Sequence, residues 1–174
     1  MEVLDFAGML GLRETPVRLV LPIVVVDELD ALKTHRARKH VPYRASYTLA
    51  FLDKILDQSG YGVVREEDFS ALDTGGVPRG RVTAEISFDP PGHVRLPIND
   101  DEIVDRALAI QAAMGRNITL VTFDTKMRLR ARTAGLKVHK LTQDLGPEVE
   151  PPTSNNGLRG AQSDRDKSGR GELR

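Results

Sequence analysis

A chain of 174 residues has the length of one domain, and its 40% hydrophobic and 29% charged residues are the mix of a globular protein, which excludes a fibre or a wholly disordered chain. The absence of cysteine removes disulfides, thiolate metal sites and cysteine nucleophiles. The 25 basic and 25 acidic residues cancel, so total charge neither favours nor excludes a nucleic-acid partner, whose binding depends on local charge.

No apolar run approaches the roughly 18 residues that a membrane span requires. The opening MEVLDFAGMLGLRET carries Glu2 and Asp5 where a secretory leader would place a basic head. The expectation is a cytoplasmic protein without a membrane partner.

The first strong signal is VRLVLPIVVV at 17–26, nearly continuous in Val, Ile and Leu, as a strand covered on both faces would be. Pro22 lacks an amide donor and is expected to open the stronger strand, 23–26. Asp27 would then cap a helix beginning ELDALK, with Leu29 and Leu32 facing inward. The basic stretch THRARKH at 34–40 reads as a solvated turn or a phosphate-contacting rim. In 43–58, Leu49, Leu52, Ile55 and Leu56 recur at helical steps, and Ser59-Gly60 stops the helix.

The interval 61–97 is less regular. Strand candidates lie at Val63-Val64, 81–88 and 93–96, with Pro90-Pro91-Gly92 placed to turn the last two into a hairpin. A helix over 100–114 follows, capped by Asn99 or Asp100 and stopped by Gly115. Strand 118–122, helix 125–133 and strand 136–141 complete an alternation that predicts an α/β fold with a parallel central sheet. Residues 1–146 form the domain. The polar, Gly- and Pro-rich residues 147–174 lack the apolar surface to offset their ordering entropy and read as a disordered tail.

Three acids share a placement. Glu28 follows strand 23–26, Asp124 follows strand 118–122, and Asp100 opens the helix 100–114; in an open parallel sheet the carboxyl ends of strands share the ligand-binding edge. Convergent carboxylates repel unless a cation lies between them, and oxygen donors of this kind suit Mg²⁺ or Mn²⁺. Such an ion can activate water and stabilise charge in phosphodiester cleavage. Asp101 stands next to Asp100 and is an assisting candidate. Thr122, two positions before Asp124 on the strand, faces the same side and can orient its carboxylate. Arg128 and Arg130 lie on basic stripes of the following helix, suited to phosphate. Taken singly, each acid also has a plainer use as a helix cap or a solvated first-turn residue. The histidines have no serine or cysteine partner in a nucleophile setting, and no phosphate-binding glycine loop is present.

The segments LPIVVVDELDALK at 21–33, NDDEIVDRALAI at 99–110 and ITLVTFDTKMRLRARTAGL at 118–136, in that order and spacing, together with GRVTAEIS at 80–87, resemble the PIN-domain family, most of all the PIN domains of bacterial PhoH-like proteins. The resemblance spans roughly 17–141. It implies a three-layer α/β/α fold, a nuclease acting on RNA with Mg²⁺ or Mn²⁺, metal ligands Glu28, Asp100 and Asp124, and homodimerisation as a common arrangement. Its alternatives are a module that binds RNA or protein without cleaving, and the toxin of a toxin–antitoxin pair with an antitoxin partner. One piece departs from the pattern. The family opens with a strand ending in Asp, then Thr or Ser; here VLDFAG at 3–8 has Asp5 followed by Phe6-Ala7, and 3–12 reads instead as the helix after that strand. The first strand and its acid are therefore expected to be missing.

Overall fold

Residue 8, residues 10–34 and residues 40–142 are described by the structure, a computed structural model of the chain. The expectations for 3–7, for the basic stretch 35–39 and for the tail 147–174 lie outside these residues. The described elements, in order, are β1 (Val17–Pro22), α1 (Ile23–Leu32), α2 (His40–Ile55), β2 (Tyr61–Arg65), a 3-10 turn (Ser70–Thr74), β3 (Val82–Ser87), α3 (Asn99–Met114), β4 (Thr119–Thr122), α4 (Thr125–Thr133) and β5 (Lys137–Lys140). No helix among them is long and apolar enough to cross a membrane.

The chain adopts the expected α/β class. Its strands form two ladders, β1-β3-β2 and β4-β5. The expected parallel pairing holds for β1 with β3 and for β4 with β5, whereas β2 joins β3 antiparallel. The antiparallel strand follows from the turn after α2. Gly60, at φ 76°, reverses the chain and accepts a hydrogen bond from the Ile86 amide. A neighbouring glycine, Gly62, lets β2 pass the end of α2, since a Cβ there would stand 1.9 Å from the Ile55 carbonyl oxygen.

The apolar run 17–26 divides differently from its sequence reading. Residues 17–22 are the strand, and 23–26 are the first turn of α1, not a strand. Pro22 ends the ladder because it has no amide to donate onward, and its φ of −56° leads the chain into the helix. Val24 is then buried, with α1 packed against α2. Burial outweighs the modest cost of β-branched residues in a helix. Asp27 accordingly lies inside α1 and does not cap it.

Helix α3 brings the two ladders together. It touches β1 and α1, and its buried Val104 and Ala107 form a core with Ala131 of α4 and Leu136, against which Ile118, Leu120 and Val138 pack. Burying each Val or Leu side chain contributes roughly 1.5–3 kcal/mol. The helix ends at Gly115, whose left-handed φ of 58° is the expected stop. Its start differs from expectation. Ile98 is the N-cap residue with no side-chain cap bond, and neither Asn99 nor Asp100 serves as a cap. The expected hairpin through 90–92 is not formed either: 93–96 pairs with no strand, because its polar groups are held by α3 instead.

Candidate functional site

Glu28 is the sixth residue of α1, so it stands about 9 Å of helix rise beyond the strand end, not directly past a strand. It is half-buried, and its Oε1 accepts a hydrogen bond from Asn99 Nδ2 at 3.0 Å. That bond fastens the acid of α1 to the first residue of α3, immediately before Asp100. Asp100 is half-buried, and its side chain has no hydrogen-bond or ion-pair partner among the described residues. Glu28 and Asp100 thus lie on elements joined at one point.

Asp124 stands at the next connection. It caps α4, its Oδ1 accepting the amides of Lys126 and Met127, the latter at 3.0 Å. Thr122 is buried, and its Oγ1 accepts the Asp124 amide at 3.0 Å. The threonine therefore acts on the backbone that carries the acid. The Met127 amide above all, then the Lys126 amide and the ammonium charges of Lys126 and Lys140, hold the Asp124 carboxyl below the usual range, while partial desolvation opposes them. Lys140 itself donates to Thr125 Oγ1 at 2.7 Å. Asp124 is thus an ionised carboxylate in a basic setting, with Oδ2 free of hydrogen bonds among the described residues.

The two candidate arginines part company. Arg130 is ion-paired with Asp101 in the first turn of α3. Arg128 is half-buried and has no side-chain hydrogen bond or ion pair among the described residues. Asp101, expected to assist the other acids, is therefore committed to α4.

Sequence reasoning missed the most buried polar group. Glu102 is 0% exposed, its Oε1 lying 2.7 Å from His93 Nε2 and its Oε2 accepting the Leu96 amide at 2.8 Å. Arg106 Nε approaches Glu102 at 3.4 Å, a charge contact without hydrogen-bond geometry. Arg95 spans Asp89, at 2.6 Å, and Asp27 on α1, which hold its guanidinium still more firmly charged, with Asp27 contributing most. One signal was legible: Glu102 and Arg106 are four apart, a helical ion-pair spacing. Burial of the glutamate was not.

Two groups of acids can be tested as ion sites. One ligand atom each from Asp89, His93 and Glu102 lies within 4.8 Å of the others; Glu28, Asp100 and Asp124 form no such group. The first set already has cationic neighbours in Arg95 and Arg106, and Glu102 Oε2 and Asp89 Oδ2 accept from the Leu96 amide and Arg95, whereas Asp89 Oδ1 is buried without a hydrogen-bond partner. A cation there would have to share the site with these two guanidinium groups. The second set has the donor chemistry of a hard divalent ion: carboxylate oxygens alone, one residue unpartnered and one held ionised. The described link within it is the one from Glu28 to the residue before Asp100, and an ion such as Mg²⁺ is commonly held by one or two carboxylates with waters completing its shell.

An α/β domain with acids on the helices and connections after its parallel strands has a nuclease-type architecture. The family model described as PIN domain matches residues 5–142, and the chain belongs to the PIN-domain family. The chain is also similar to Protein PhoH2 of Thermobispora bispora, at 34% identity over 128 residues that cover 70% of this chain and 26% of that protein. The chain thus spans about a quarter of the length of this curated relative. No solved structure matches it. PIN domains typically use divalent metals, in keeping with the oxygen donors present here.

Proposed function

We propose that the chain is a divalent-metal-dependent ribonuclease whose ion is held by Glu28, Asp100 and Asp124. The observation that carries this reading is the Asn99–Glu28 hydrogen bond, which fixes an acid of α1 beside the acidic first turn of α3. When bound, Mg²⁺ or Mn²⁺ supplies a nucleophilic water at neutral pH and stabilises charge on the phosphodiester. The protein residues position that chemistry. Thr122 fixes the backbone at Asp124, and the cap bonds to α4 keep that carboxylate ionised and aimed. Arg128 is free to meet a phosphate, whereas Arg130 reaches one only by releasing Asp101.

A second reading, a module that binds RNA or protein without cleaving, draws on the three carboxylates forming no close group. A cleavage assay on single-stranded RNA with Mn²⁺, with chelator, and with Asp124→Asn separates the two. The nuclease reading expects cleavage with Mn²⁺ that is lost in the other two conditions. RNA binding without cleavage by the folded wild type supports the module, and cleavage untouched by Asp124→Asn overturns the site.

A further inference from the structure

We infer that Asn99 is a positioning residue for the metal-binding carboxylate of Glu28, an inference that rests on the nuclease reading. Glu28 sits on α1, and nothing in its own helix orients its carboxylate: the hydrogen bond it makes is the one from Asn99 Nδ2 to Oε1, at 3.0 Å. An amide donor is suited to this place. It satisfies one oxygen without adding charge, and so leaves Oε2 as the donor for an ion. A lysine or arginine in the same position would neutralise the acid and compete with the cation. The side chain that holds Glu28 also belongs to the residue directly before Asp100, so the bond sets the spacing between two ligands carried by different helices.

Asn99 is in turn built into a fixed support. The segment leading to it is pinned through the Leu96 amide and His93 to the buried Glu102, three residues further along α3. Arg95 ties the same segment to Asp27, the neighbour of Glu28 on α1. The donor is therefore held from both sides. Asn99 itself is exposed, so its replacement removes a hydrogen bond without opening a cavity.

The test is Mn²⁺ binding followed by electron paramagnetic resonance of the free aquo ion, on wild type, Asn99→Ala, Asn99→Gln, Glu28→Ala and the double variant Asn99→Ala/Glu28→Ala. Outer-sphere partners of metal ligands usually contribute tenfold or more in affinity, so Asn99→Ala is expected to bind about tenfold more weakly. Asn99→Gln, which keeps the amide, should recover part of that loss. In the Glu28→Ala background the Asn99 change should have no further effect, because the asparagine acts through the glutamate. Unchanged affinity in Asn99→Ala overturns the inference while leaving the nuclease reading in place, as does a full further loss in the double variant, which would make Asn99 a ligand itself. Absence of Mn²⁺ binding by folded wild type overturns the reading and the inference together.

Discussion

Arg130, in the last turn of α4, is paired with Asp101 in the first turn of α3, so the helix after β4 is tied to the helix that carries Asp100. The side chains are 39% and 36% exposed, and water screens their attraction. Arg130→Ala and Asp101→Ala should each alter unfolding free energy by less than about 1 kcal/mol in urea titrations. If the pair orders the site, cleavage falls by more than this stability loss accounts for. Equal, small effects on both would reduce the pair to surface chemistry.

Asp124 has two tasks that substitution can separate. Asparagine keeps an oxygen for the Met127 and Lys126 amides, whereas alanine removes the cap. Asp124→Asn should therefore retain most of the thermal stability and lose cleavage, while Asp124→Ala loses both. The pH dependence follows from the lowered native value. Unfolding takes up a proton between that value and the ordinary 3.8, so the contribution of the ionised cap is whole above 3.8 and fades as the pH falls through the native value. Acid unfolding of Asp124→Asn should lack this component, which a comparison of melting temperatures across acidic pH measures.

Glu102 is expected to be the most sensitive polar position. Its removal as Glu102→Ala leaves the Leu96 amide without its acceptor and His93 and Arg106 without their buried counter-group, at a cost of about 3–5 kcal/mol in chemical denaturation. Glu102→Gln keeps an acceptor and should be milder. A stable Glu102→Ala would contradict the structural role given to the 93–98 segment.

Gly62→Ala should destabilise the joint between α2 and β2 by about 2–3 kcal/mol or more, because the added methyl meets a backbone carbonyl that cannot swing aside. Gly92→Ala is the control: a Cβ there meets nothing within 4 Å, although its φ of 78° carries its own strain. The two melting curves should separate clearly.

The second half of the domain was the more legible in the sequence. Helix α4 lies at 125–133 as expected, with Asp124 as its cap, and α3 differs from its expected start by one residue. In α3 the apolar positions repeat at helical spacing, and Gly115 and Gly135 follow the two helices. The run IVVV carries no such period. Four consecutive apolar β-branched residues suit a buried strand or a buried helical turn equally, and packing of α1 on α2 decided the matter. The 93–96 segment misled for another reason: its Leu96 amide is taken by a glutamate six residues further on, and residue spacing does not show which polar groups a fold will enclose. Of the proposed ligands, the placements of Asp100 and Asp124 at element starts were readable, whereas the hydrogen bond joining α1 to α3 through Asn99 required coordinates.

Helix α3 packs against β1 on one side and, through Val104 and Ala107, against the β4-β5 half on the other. Loosening its apolar face would therefore release both ladders at once, and amide hydrogen exchange in β1 and in β4 should quicken in step. The same helix carries Asp100 at its first turn, so the local rigidity of the proposed metal centre is inherited from the joint that makes the two halves unfold as one.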